Sequence, residues 1–224
     1  MRVIFNEELK QVADDLDRMA QDVRKAINGA GEALLKQDVE AAQTVIDGDI
    51  EIDALESSII DQCVRLLAKQ NPVATDLRVV VSTLRLASTF ERMGDLARHV
   101  AEGARRTYPA SPLPEEAQPV FAEMLEFLSD TADQLIAMLS DRDAKTAEHI
   151  ILNDDKLDEL HHKTFELALS DGITRQQTVD IVLLGRFLER LGDHAVSAAR
   201  RVVYIVSGFD PSKKPARDEE GAIE

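Results

Sequence analysis

Tryptophan is absent, and only 4% of the 224 residues are aromatic, so few aromatic side chains are available to a core. Proline (7) and glycine (10) are also scarce, which leaves long stretches without the residues that interrupt helices. A single cysteine, Cys63, excludes a disulfide within the chain. With Ile59, Ile60, Leu66 and Leu67 around it, a buried and inert thiol is expected. No apolar run approaches the roughly 18 residues of a membrane span. The opening MRVIFNEELK has too short an apolar run for a signal peptide, so a cytoplasmic protein is expected. Positive charge is short as well: 26 Lys and Arg stand against 42 Asp and Glu, a formal net charge of −16. Such a balance repels phosphodiester backbones and anionic lipid and argues against nucleic acid as a direct partner. It is compatible with metal cations or basic protein surfaces.

What is present is helical periodicity. Leu9, Val12, Leu16, Met19, Val23 and Ile27 recur at steps of three and four, and predict a helix over about 6–36. Asp38 is placed to cap a second helix running to about Lys69, which Asn71-Pro72 ends. A third helix is expected from Val73 to Arg106. The segment TYPASPLPEEAQP (107–119) then holds four of the seven prolines and reads as a linker. A fourth helix to Leu139, a turn capped by Asp143, a fifth helix to Leu169 and a sixth over 174–206 complete the pattern. The polar end GFDPSKKPARDEEGAIE reads as a mobile tail. The expected organisation is a first repeat over 1–108, a second over 109–208 with its linker at 109–116, and a tail over 209–224.

Three helices, a linker and three helices point to a duplication. FERMGDLARHV (90–100) has a counterpart in LERLGDHAVSA (188–198), with Gly94 and Gly192 98 residues apart. Asp38, Ala42, Ile46, Asp49, Asp53 and Leu55 match Asp143, Ala147, Ile151, Asp154, Asp158 and Leu160 at an offset of 105. The difference of seven residues is expected to be lost in the turn before the last helix. The fold class is therefore all-α, two tandem, pseudo-symmetric three-helix bundles packed side by side.

At about 100° per residue, Leu86, Phe90, Met93, Ala97 and Val100 form one stripe, as do Leu184, Leu188, Leu191, Ala195 and Ala198. Glu91 and Asp95, and likewise Glu189 and Asp193, fall on a non-core face as i, i+4 neighbours. Like charges so spaced weaken a helix by a few tenths of a kcal/mol, and each mid-helix glycine costs about 1 kcal/mol against alanine. Repeating both costs in two copies points to a shared purpose, oxygen ligands for a hard cation beside a close backbone approach; a solvated acidic face is the alternative. Asp49 with Asp53, and Asp154 with Asp158, add a second acidic pair to each half. Glu56 extends the first set, and His99 continues the Glu91, Asp95 face as a candidate nitrogen ligand. Iron, manganese, magnesium and zinc are the candidate ions, and the oxygen-rich, thiolate-free donor set favours the first three. His194, next to Asp193, is expected to be exposed. Glu159 and His162 form one Glu-x-x-His, the spacing of carboxylate-bridged metalloenzymes in helical bundles. No phosphate-binding glycine loop and no nucleophile motif occurs.

The run PVATDLRVVVSTLRLASTFERMGDLARHVAEG, preceded by IDALE and followed by LERLGDHAV in the second half, resembles the PhoU family of phosphate-uptake and phosphate-signalling regulators. The resemblance covers residues 3–208. It implies paired three-helix bundles, and metal-binding Glu/Asp-x-x-x-Asp motifs at Glu91/Asp95, Glu189/Asp193, Asp49/Asp53 and Asp154/Asp158. It further implies a homodimer and a non-enzymatic negative regulator that links a phosphate ABC transporter ATPase to a sensor histidine kinase. Two departures stand out: His99-Val100 and Ser197-Ala198 where the family usually has Asn-Ile, and Thr174 in the second copy where Asp76 stands in the first.

Overall fold

The computed structural model describes residues 2–209. Seven helices follow one another: α1 (Arg2–Lys36), α2 (Val39–Gln70), α3 (Ala74–Thr107), α4 (Gln118–Asp141), α5 (Ala144–Leu152), α6 (Asp155–Ala168) and α7 (Arg175–Ser207). No strand occurs among the described residues. The local chemistry accounts for most boundaries. Asp38 accepts hydrogen bonds from the N–H groups of Glu40 and Ala41, and Asp143 accepts one from that of Lys145. Thr174 and Gln177 close a reciprocal capping box on α7. Asn71 ends α2 in the left-handed conformation that asparagine tolerates, and Pro72 blocks continuation. Apart from Phe209, the expected tail lies outside the described residues.

α1, α2 and α3 pack on one another, and α4, α5 and α6 pack with α7, giving two three-helix bundles. The bundles join through α1 against α4 and α3 against α7, while α2 and the α5–α6 pair flank this shared centre. One continuous hydrophobic core, mainly aliphatic with Phe5, Phe90 and Phe121 among its members, runs through both halves. Every residue of the two expected stripes is buried, from Leu86, Phe90 and Met93 in α3 to Leu184, Leu188 and Leu191 in α7. Cys63 is fully buried, and burial pushes its thiol up to about 11, so it is inert.

Two expectations change. The fifth helix is two helices, α5 and α6, interrupted at Asn153-Asp154. The seven-residue loss in the second copy falls in helix, not in the turn. α6 ends at Ala168, whereas the repeat offset would carry it to 175, and the connection over 169–174 is longer than that over 71–73. The proline-rich linker is anchored, with Leu113 and Ala117 buried in the core.

α3 and α7 run antiparallel. Arg106 meets Asp180, Gly103 would touch Leu184, His99 stacks on Phe187 and Arg92 influences His194. Each step forward along α3 is a step back along α7. Two residues on from Arg92 and back from His194, Gly94 and Gly192 stand at the same level, so the pseudo-twofold axis of the duplication passes between them.

Candidate functional site

The two glycines open the grooves in which the acids meet. A Cβ on Gly94 would stand 3.0 Å from Ile52 Cδ1 and 3.5 Å from Asp49 Oδ1. A Cβ on Gly192 would collide with Leu157 and stand 3.7 Å from Asp154 Oδ1. Glycine thus draws α2 against α3, and α6 against α7, at the level where each outer helix presents its aspartates. The acids expected on a non-core face lie in these grooves. Asp49, Glu56, Glu91 and Asp95 are half-buried, as are Asp154 and Glu189, whereas Asp53, Asp158 and Asp193 are exposed at the rims.

In the first cluster, Asp49 and Asp95 share Arg98: Nε lies 2.6 Å from Asp49 Oδ2 and Nη2 lies 2.7 Å from Asp95 Oδ1. The Nε contact is one of charge, since that N–H is not aligned for a hydrogen bond. Arg98 also reaches Glu102 at 2.9 Å, and Arg92 spans Asp95 at 3.1 Å and Glu91 at 3.3 Å. Burial raises the pKa of Asp49; Arg98 opposes this, and Asp53 and Asp95 add to it. Burial likewise raises Glu91, with Asp95, Glu56 and Asp53 adding their repulsion against the pull of Arg92. Burial also works on Asp95, but the hydrogen bond and charge of Arg98 outweigh it and hold that carboxyl low. Five expected acids are therefore brought within electrostatic reach of one another. Glu56 accepts a hydrogen bond from Ser88 at 2.7 Å.

The second cluster is built differently. Val196 stands where the repeat would place Arg98, and the cation comes instead from Arg186, which pairs with Glu189 at 2.6 Å and is more than half exposed. Burial, then Asp158 and Asp193, raise Asp154. Burial and Asp193 raise Glu189, with Arg186 opposing and Asp158 adding.

The histidines are redistributed relative to expectation. The His99 ring stacks on Phe187 of α7 at 5.3 Å, its buried Nδ1 has no hydrogen bond, and it stands within electrostatic reach of Asp95. His194 is half-buried rather than exposed. Burial lowers its pKa, Arg190 and Arg92 add to the lowering, and Asp193 opposes it. Glu159 and His162 are both exposed, which removes them from any bundle-core metal site. The buried neighbour is His161, which sequence reasoning missed. Its Nε2 has no hydrogen-bond partner, its ring leans on Phe165, and Asp158 and Asp193 act on it. Burial, with Arg186, holds its pKa below the ordinary imidazole value. The signal was available: His161 lies three residues after Asp158 on one helical face, and the repeat offset matches it to Glu56.

Among the described residues, no three His, Cys, Asp or Glu side chains stand close enough together to hold a metal ion as they are arranged. The two clusters differ in the donors they offer. The first offers oxygen only, with Arg98 inserted among its carboxylates. The second offers carboxylates, the unpartnered nitrogen of His161 and Arg186, a half-exposed cation that donates to both oxygens of Glu189.

The comparisons with known proteins place this arrangement in a family. The PhoU domain model matches residues 16–104 and again 121–202, one match to each half. The phosphate-specific transport system accessory protein PhoU homolog 1 of Mycobacterium tuberculosis (strain ATCC 25618 / H37Rv) is 36% identical over 217 residues, covering 95% of this chain and 97% of its own length. The corresponding homolog of Deinococcus radiodurans is 33% identical, covering 93% of this chain and 99% of its own. The crystal structure of PhoU from Pseudomonas aeruginosa superposes with a TM-score of 0.83 at 28% identity, covering 92% of this chain and 100% of that one. Two matched halves, relatives similar along nearly the whole length and a closely superposing fold together establish that this chain belongs to the PhoU family.

Proposed function

We propose that the protein is a cytoplasmic accessory regulator of phosphate transport. In this reading it acts as a homodimeric adaptor between the ATPase of a phosphate ABC transporter and a sensor histidine kinase, and restrains uptake and starvation signalling when phosphate is plentiful. The observation that carries this reading is the match of both halves to relatives named as phosphate transport accessory proteins. No helix among the described residues is long and apolar enough to cross a membrane, which fits a protein acting on a transporter from outside the bilayer. The test is deletion of the gene with a phosphate-starvation reporter. Expression is expected to rise in high phosphate and to return on complementation; an unchanged reporter would overturn the reading.

The two acidic clusters supply the adaptor with metal sites in this proposal. A cation bound by Asp49, Asp53, Glu91 and Asp95, with Glu56, replaces the charge of Arg98. One bound by Asp154, Asp158, Glu189 and Asp193, with His161, displaces only the half-exposed Arg186. A metal in either groove fixes an outer helix to the central α3–α7 pair and so biases the surface shown to a partner. Iron, manganese, magnesium and zinc are the candidate ions. The His161 nitrogen inclines the second site toward a transition metal, and the all-oxygen first site toward a hard ion. Elemental analysis checks this. Stoichiometric metal is expected in the wild type, with Asp154→Ala plus Glu189→Ala losing more than Asp49→Ala plus Glu91→Ala; metal-free protein after loading would rule the sites out.

A further inference from the structure

α1 and α4 cover one face of the α3–α7 pair, and α2 and the α5–α6 pair flank its edges. The remaining face is open, with Arg85, Arg92, Arg186 and Arg190 exposed. Charge is shared unequally about it. α3 and α7 carry 11 Lys and Arg against 7 Asp and Glu, a net +4, whereas the rest of the chain carries 15 against 35, a net −20. Each edge of the open face also bears an apolar patch. Asp49 meets Arg98 and Glu56 meets Ser88 across α2 and α3, and that antiparallel register sets Ile60 level with Leu84 and Val64 level with Val81. Ile60 and Leu84 border one groove with Arg85 and Thr89, so this patch opens on the seam side. In the second half a Cβ on Gly192 would meet Leu157, one on Gly185 would meet Thr164, and Thr178 donates to the Ala168 carbonyl. The same register follows: Phe165 is level with Val182, and Leu169 with Val179. The repeat offsets match these four residues to Ile60, Leu84, Val64 and Val81 in turn. Val64 is 53% exposed and Leu169 84%, so neither patch belongs to the core. Single exposed apolar residues are ordinary. The same apolar group kept at both equivalent edges, while Arg98 gave way to Val196 and the outer helix split, marks a contact surface.

We propose that the open α3–α7 face docks a twofold-symmetric protein with an acidic contact surface, one apolar patch engaging each of its two subunits. A surface that repeats one contact about an axis is matched at both places by a partner that repeats the complementary contact about its own. The partner's axis then lies along the pseudo-twofold between Gly94 and Gly192, and one chain serves two partner subunits. The net positive charge of α3 and α7 calls for acidic residues between the partner's two apolar contacts. It also opposes a second copy of this chain laid face to face, which would bring the same charge. An anionic bilayer would meet the exposed Asp53 and Asp158 at the rims of the same face. Each patch continues an acidic stripe: Asp49, Asp53 and Glu56 lead to Ile60 and Val64, and Asp154, Asp158 and His161 lead to Phe165 and Leu169, at steps of three and four. A shift of α2 or α6 at its cluster is therefore carried to the patch. The inference rests on the adaptor reading and adds to it the surface and the symmetry of the partner.

Mass photometry of the full chain with the assembled phosphate transporter, and separately with the full-length sensor kinase, each in nanodiscs, tests this. With at least one of them, one chain is expected for every two ATPase or kinase subunits. Val64→Glu disables the first patch and Leu169→Glu the second; both sites are exposed, so both variants are expected to keep the thermal unfolding of the wild type. Each is expected to weaken binding about a hundredfold, the loss of two-point engagement, and to leave the reporter derepressed in the deletion strain. No complex with either probe, one chain per partner subunit, or binding that only one of the two variants weakens overturns the proposal. So does a homodimer of this chain that the variants dissociate, or binding to empty anionic nanodiscs that they abolish. If deletion derepresses the reporter and both variants restore repression, this proposal falls and the adaptor reading stands. A deletion without effect overturns the adaptor reading itself.

Discussion

Gly192 and its counterpart Gly94 are positions where a side chain as small as alanine decides the packing. Helix propensity alone favours alanine over glycine by about 1 kcal/mol. At Gly192 that gain is overridden, because the new Cβ meets Leu157 in the core, and overpacking costs about 1–3 kcal/mol. Gly192→Ala is therefore expected to lower the urea midpoint, with Gly94→Ala milder because its contact with Ile52 is looser. The acids beside these glycines set a pH dependence. Asp49, Glu91, Asp154 and Glu189 all have pKa values raised in the folded state, by burial first and by neighbouring carboxylates second. A raised group binds its proton more tightly folded than unfolded, so its stabilisation is present below the unfolded value near 4 and is lost as pH rises through the folded value. Asp95 and Asp143 are lowered and act in the opposite sense at still lower pH. His161 and His194, lowered by burial, act against the acids where an ordinary imidazole titrates, so the acids' share is read by difference. In metal-free protein, Asp154→Asn plus Glu189→Gln is expected to flatten the fall in melting temperature between about pH 4 and pH 7 relative to the wild type, as differential scanning calorimetry would show.

Among the elements, the outer helices of the two halves have diverged most. α2 is one uninterrupted helix, whereas its counterpart is split at Asn153-Asp154 and stops short at Ala168. Asp154 consequently sits at the junction of α5 and α6, where Asp49 lies within a continuous helix. This gives the second cluster a different geometry from identical residue types. The inter-repeat connection also has a structural role that its proline content conceals. Leu113 is only 2% exposed, packed into the core between the bundles. Leu113→Ala is expected to destabilise the protein by about 2–4 kcal/mol, the range for emptying a buried leucine site, measured by chemical denaturation. A loosely tethered linker would show no effect.

For the whole molecule the α3–α7 seam makes the two bundles one body. Asp180 is 1% exposed and is held by Arg106 across the seam and by Gln176 within α7. Removing one member of a buried pair strands the other, at a cost of about 3–5 kcal/mol. Part of that is relieved here because Arg106 is half exposed and Gln176 still bonds Asp180. Arg106→Ala is thus expected to lose about 2 kcal/mol, and to expose the seam residue Leu184 to hydrogen exchange before the remainder of α7. Equal protection along α7 in the variant would show that the ion pair does not lock the seam.

Most of the helices, the Asp38 and Asp143 caps, the buried stripes and the repeat were legible in the sequence, because each depends on residues a few positions apart: a 3.6-residue period, a capping carboxylate, a proline; the break at Asn153-Asp154 was not. The family could be read for the same reason, since its motifs are local. The pairing of helices could not be read, and it decided the rest. Which acids share a groove follows from where a glycine lets α2 or α6 approach. That His161 and not His162 turns inward follows from α6 lying against α7. That Arg98 rather than solvent neutralises Asp49 depends on two helices meeting at one level. Contacts between residues distant in sequence carry no periodicity to read, and only the tertiary structure brings Val64 level with Val81 and Gly94 level with Gly192.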